Sequence, residues 1–418
     1  MDRNTIMGAV LILSTLFLNG CLNNSDTKNI QKDSGRTVDV AQITQLSASE
    51  NIYTSASIND GSTILFGGDN GLTFTSISNR DPMISKSSKH LFFDIPTFSS
   101  NATDIKQSSA LNTDANKSKV KIYSICNVAN SLYIGGKFAF VNGVKKDNII
   151  RLTSSGAIDD DFNASVEGSV YKIIKTDTNI FIAGAFGSYN EKYVHSIAKL
   201  DLIGTLDESF NPFANYMIAR INDIAVLPND KIVLAGTFVK EASIEDQNSS
   251  MEELIQKTRA VIILNVNGTI DESLSEKFAD IKHEAYAIDV LNDTIYIGGG
   301  FEFIKEKISF NDLVAYTIEG DLNTDFHIGK LSGLVFDVKA QDDKIIFAGD
   351  FILDDDLKTR SFYMVDLFGS TVNINNFSVD ADIYSIEMYE GSLVLSGAGN
   401  FKLSGSQYSN SISLKLED

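Results

Sequence analysis

The 418-residue chain has no tryptophan, two cysteines, four histidines and four prolines. Cys21 and Cys126 are too few for a disulfide framework. His90, His195, His283 and His327 stand apart, with no His-x-x-x-His pair or cysteine partner at ligand spacing, so no zinc site is expected. Basic residues are also short: 35 Lys and Arg against 55 Asp and Glu leave a formal charge of −20. Without a Lys/Arg cluster to neutralise phosphates, nucleic acid is not an expected partner. Beyond the N-terminal segment no run reaches 18 uninterrupted apolar residues, which argues against a spanning helix. What is present is ordinary for a globular chain, 43% hydrophobic and 22% charged, with enough apolar surface to bury a core.

The N-terminus carries an address. Arg3 precedes an apolar run from Ile6 to Leu18, too short to cross a ~30 Å hydrocarbon layer comfortably and suited to a signal-peptide core. Leu18-Asn19-Gly20-Cys21 follows and resembles the lipobox of bacterial lipoproteins, although Asn19 stands where that family favours a small or apolar residue. The resemblance implies cleavage before Cys21, transfer of a diacylglyceryl group to its thiol, acylation of the new amino terminus, and a palmitate-type anchor. Several acyl chains, at about 0.8 kcal/mol per buried methylene, hold a protein to a membrane without a helix. Residues 1–20 are thus read as a signal peptide and 21–36, rich in Asn, Ser, Asp, Lys and Gln, as a disordered tether. Leu22, not Asp, after the cysteine fits the outer-membrane sorting of many such lipoproteins.

The remainder, 37–418, repeats itself. Seven segments share a β-rich run and a small-Gly step, whose last glycines are Gly68, Gly136, Gly184, Gly236, Gly299, Gly349 and Gly397. Their spacing is 48–52 except where insertions stretch it to 68 and 63. Residues 168–211 show the unit most clearly: strands at Val170–Ile174, Ile180–Phe186, His195–Leu200 and Leu206–Phe210, separated by Asn, Asp and Gly. Four antiparallel strands in about 50 residues make a propeller blade. The glycines sit inside strands with no following helix, so they are read as close-approach or bulge positions and not as a phosphate cradle.

The pattern resembles the bacterial delta-sixty repeat β-propeller family, whose units run through a hydrophobic-Gly-Gly-x-Phe strand, a strand ending in Arg-Leu, and Gly-x-hydrophobic-Asp-x-x-Phe. Arg151-Leu152 leads here to Gly156, Asp159 and Phe162, and Lys199-Leu200 to Gly204, Asp207 and Phe210. In later copies Leu274 replaces the Phe and Asn323 the Asp. The resemblance implies a fold and no activity: all-β, a seven-bladed β-propeller of four-stranded antiparallel blades. Thr37 to Leu46 is expected to close the ring as an outer strand of the last blade.

Two insertions, Thr97–Ser118 and Val239–Arg259, fall on the face of the second-to-third and blade-to-blade connections, where recognition usually lives. Candidate binding positions are Val239, Leu254, Ile255 and Arg259, with Leu254 and Ile255 on one side of a short helix within Ser250–Lys257. Asp159–Asp161 and Asp354–Asp356 lack the alternating ligands, Gly and terminal Glu of a calcium loop. Calcium is left open only through carboxylates contributed by several blades to a central channel. No Gly-x-Ser-x-Gly elbow marks a catalytic serine, the absence of tryptophan removes the aromatic of sialidase Asp-boxes, and Cys126 is read as a small core residue rather than a nucleophile. No catalytic, cofactor or metal residue is therefore assigned. The chain reads as a non-catalytic platform for an envelope protein or surface glycan; a propeller hydrolase or lyase with a carboxylate-lined channel and a structural envelope subunit are the alternatives.

Overall fold

A computed structural model describes residues 33–47, 51–58, 63–69, 71–76, 98–99, 120–240, 257–353, 360–374, 377–389, 392–403 and 405–417. Among them, seven antiparallel three-stranded meanders follow one another. The first is Ile52–Ile58, Thr63–Gly68 and Gly71–Ser76. The second is Lys121–Val128, Ser131–Lys137 and Ile149–Thr153, and the third Val166–Lys175, Asn179–Tyr189 and Ile197–Asp201. The fourth is Tyr216–Val226, Ile232–Lys240 and Arg259–Leu264, and the fifth Glu284–Leu291, Thr294–Lys305 and Ile308–Thr317. Leu331–Gln341, Lys344–Leu353 and Arg360–Asp366 form the sixth, and Phe377–Tyr389, Ser392–Leu403 and Ser406–Glu417 the seventh.

The cores lie between successive sheets. Ile180 and Ile182 pack with Tyr133 and Phe162 of the second unit, whereas Phe181 and Ala183 pack with Ile221 and Leu234 of the fourth. The alternation of a strand therefore buries both faces, which is why these strands are apolar throughout instead of every second residue. The first strand of the first unit also lies against the first two strands of the seventh.

Two features depart from expectation. The fourth strand is a single bridge in units two to five, at Leu152↔Ile158, Leu200↔Leu206, Leu264↔Ile270 and Tyr316↔Leu322. The turn that follows pulls the chain away: Asp159 Oδ1 accepts from Asp161 N and its carbonyl from Phe162 N, so pairing stops after one residue. A fourth strand does form in the sixth unit, at Thr371–Ile374. The N-terminal strand, moreover, runs from Asp33 to Ser47, earlier than the expected end of the tether at residue 36. It pairs in parallel with Thr371–Ile374 at Asp33, Thr37 and Val38, then antiparallel with the last strand from Asp39↔Glu417 to Ser47↔Ser411.

Candidate functional site: an aromatic mouth where the first strands meet

Every first strand carries one bulge residue, opposite the small-Gly step of its own second strand. Pairing jumps from Ile122↔Gly136 to Ser124↔Gly135, leaving Tyr123 as the extra residue. The same slip isolates Tyr53, Tyr171, Asn222, Tyr286, Phe336 and Tyr384. The glycines explain why it can happen. A Cβ on Gly136 would overlap the Lys121 carbonyl oxygen, and one on Gly135 would reach Val170 Cγ1 of the next unit at 2.6 Å. Thus the second glycine admits the bulge and the first admits the neighbouring sheet.

Six of the seven bulge residues are aromatic, and they converge. Tyr53 lies 5.5 Å from Tyr123 and 5.2 Å from Tyr384, centroid to centroid, and Tyr123 lies 5.2 Å from Tyr171. Phe336 lies 5.7 Å from both Tyr286 and Tyr384. Between Tyr171 and Tyr286, where the bulge residue is Asn222, the Arg220 guanidinium covers the Tyr171 ring at 5.4 Å and pairs with Glu284 Oε1 at 3.4 Å. Asn222 donates to the same Glu284 oxygen and to the Ala285 carbonyl, both at 2.9 Å. The residues thus form a continuous belt, each ring half-buried. Burial and then Asp69 push the Tyr53 phenol up to about 12, and burial and then Asp382 do the same at Tyr384, so both remain neutral hydroxyls near neutral pH. Burial likewise holds the Tyr123 and Tyr286 phenols above their usual range.

Below the belt the bore is charged and internally committed. Lys172 Nζ pairs with Asp223 Oδ1 at 2.8 Å, its side chain keeping 38% exposure because it faces the bore. Burial opposes the ammonium, but Asp223 and then Asp337 more than offset it and hold Lys172 above the usual lysine range. Asp223 also accepts from Ile224 N and from Ile288 N of the fifth unit. Asp289 accepts from Ala340 N of the sixth, and Asp337 from Ile386 N of the seventh. Burial pushes Asp337 up to about 7 against the pull of Lys172 and Lys339. Among the described residues no group of three His, Cys, Asp or Glu side chains is placed to share a metal ion.

The residues singled out from the sequence fall elsewhere. Cys21, Leu254 and Ile255 lie outside the described residues, as do His90, residues 241–256 and Asp354–Asp356. Val239 is not in a loop but buried in the second strand of the fourth unit, at 3% exposure. Arg259 opens the third strand, bonded to Glu272 and Glu276 of the short helix Glu272–Glu276. The insertion between them nevertheless leaves from the belt's end of the sheet, since Lys240 pairs with Tyr216 at the start of the first strand. Of the Thr97–Ser118 stretch, Phe98–Ser99 pairs with Phe140–Val141. His195 Nδ1 contacts the Phe213 carbonyl at 3.0 Å, and burial lowers His283. Cys126 packs on the second-to-third core, and burial pushes its thiol up to about 11.

Sequence reasoning missed the belt. Its signal is an aromatic residue 13 positions before the last glycine of the step, at Tyr123, Tyr171, Tyr286, Phe336 and Tyr384.

These meanders, packed face to face about a common bore, define a β-propeller protein. Residues 130–162 and 177–210, in the second and third units, match the family described as a domain of unknown function (DUF5122) beta-propeller. No curated protein matches the chain in sequence. Among solved structures, the WD40 beta propeller domain of Doa1 is similar at 10% identity and a TM-score of 0.48, over 91% of this chain and 97% of that one. The computationally designed Ika8 protein is similar at 10% and 0.46, over 91% and 100%. YCF48 bound to D1 peptide is similar at 11% and 0.43, over 90% and 97%.

Proposed function

We propose that the protein is a lipid-anchored lipoprotein of the bacterial envelope, seated at the outer membrane, whose seven-bladed β-propeller is a non-catalytic interaction platform. The carrying observation is the belt: half-buried rings from six different units meet at one mouth, the end from which the insertion after Lys240 also departs. Aromatic side chains supply large contact area with little rotamer entropy to lose, which is what binding surfaces use. Seven blades in a ring, with Asp33–Ser47 completing the last, is the arrangement that the strand pairings and the contact of the first sheet with the seventh support. The hydrolase or lyase alternative is less well supported, because Asp223, Asp289 and Asp337 in the bore already accept backbone amides of neighbouring units. The anchor rests on the Leu18 to Cys21 motif.

One experiment tests both halves. The full-length chain, its Tyr123→Ala/Tyr384→Ala variant and its Cys21→Ala variant are expressed in a bacterial envelope with a clickable fatty acid, cross-linked and purified. Wild type should be labelled and recover a partner; the belt variant should be labelled but recover about tenfold less; Cys21→Ala should be unlabelled. Equal recovery by a folded belt variant refutes the platform, and label on Cys21→Ala refutes the anchor.

A further inference from the structure

The belt is electrically lopsided. On one arc the chain supplies its own cations: Lys121 Nζ lies 4.9 Å over the Tyr53 ring and donates to its hydroxyl at 3.0 Å, and Arg220 lies over Tyr171. On the other arc are Tyr286, Phe336 and Tyr384, and among the described residues no cation covers their faces. Carboxylates border this arc instead. Asp382 Oδ2 accepts from the Tyr384 hydroxyl at 3.5 Å, and Asp350 is exposed and within electrostatic reach of Tyr384, whereas Glu284 beside Tyr286 is already paired with Arg220.

We propose that the arc of Tyr286, Phe336 and Tyr384 receives a basic side chain, arginine or lysine, of a protein partner. This inference rests on the platform reading and names what the platform holds. An aromatic face attracts a cation through its quadrupole, and nearby carboxylates add direct attraction. The chain demonstrates the mode itself at Tyr53 and Tyr171, where its own cations complete the belt. Anionic occupants, sulfated glycans included, would meet Asp350 and Asp382 and a molecule of formal charge −20.

The test uses the full-length chain in detergent micelles and its tyrosine fluorescence, which no tryptophan obscures. The probe is a capped five-residue peptide with one central arginine; the control replaces it with citrulline, similar in shape but uncharged. The arginine peptide should quench saturably and bind about tenfold tighter than the citrulline peptide, and the advantage should shrink as salt rises. Tyr384→Ala should abolish it, and Asp350→Asn, at an exposed position, should reduce it severalfold in a folded protein. Equal binding of the two peptides, no saturable binding of either at millimolar concentration, or arginine binding unchanged in folded Tyr384→Ala overturns the inference. If the peptides are indistinguishable while partner capture still depends on the belt, the inference alone has failed and the platform stands.

Discussion

Asp312 occupies in the fifth unit the place that Asn148 and Asn410 hold in the second and seventh. All three have positive φ, 57°, 65° and 59°, Asn148 just before its third strand and Asp312 and Asn410 at the register break within theirs, where short polar side chains best tolerate that conformation. Each accepts, through Oδ1, a backbone N–H in or just past its own second strand: Phe301 for Asp312, Phe138 for Asn148 and Gly399 for Asn410. The Asn148 amide also donates to the Val166 carbonyl of the next unit, which an ionised carboxylate would repel. Burial accordingly pushes Asp312 up to about 8. Because the folded state prefers the neutral acid, the penalty is absent below about pH 4, the unfolded value, and grows until pH passes the folded value near 8. Asp312→Asn should therefore stabilise the protein on the order of 3 kcal/mol at pH 8 and hardly at all at pH 4. Urea unfolding at the two pH values checks this; an equal effect at both would show that the carboxyl is not the cause.

At the scale of elements, the repeated glycine and phenylalanine turn out to be partners across a unit boundary. A Cβ on Gly204, at φ 100°, would overlap the Phe162 ring of the preceding unit, and one on Gly268 would reach Phe210 Cδ2 at 2.5 Å. In the next interface Leu274 fills the same place beneath Gly320. Arg151 adds a polar tie, bonding Asp159 in its own unit and the Ile203 carbonyl in the next. The sequence displays which residues recur, because repetition is visible along a chain; it hides which copies touch, because that depends on the stacking direction. It also suggests a full fourth strand at Leu206–Phe210, and the Asx turn at Asp207 cuts this to the single pair Leu200↔Leu206. Phe162→Ala should cost about 3–5 kcal/mol through the cavity left beside Tyr133 and Arg151, whereas Phe162→Leu, copying position 274, should cost about 1–2. Denaturant midpoints that rank the two variants equally would remove the argument that ring volume, and not a specific aromatic contact, holds this boundary.

The whole molecule raises the question of how a stack of sheets ends. The seven small-Gly steps were legible in the sequence because each is local, and so was the need for something to cover the last sheet. The belt was not, since a bulge moves one side chain from a sheet face into the bore without altering the hydrophobic pattern that periodicity detects. Nor was the start of the N-terminal strand at Asp33, in a polar stretch that alone looks unstructured and that pairs here through backbone groups with Thr371–Ile374. This strand joins the first residues of the described chain to both the sixth and the seventh sheets, so its loss would free an edge of Ser406–Glu417. A chain beginning at Ala48 should therefore unfold at lower denaturant than one beginning at Asp33 and, unlike it, associate with rising concentration as free edges pair between copies. Sedimentation velocity and guanidinium titration on the two chains measure both effects. If the shorter chain stays monomeric with an unchanged midpoint, the strand is an appendage and the first and seventh sheets hold each other without it.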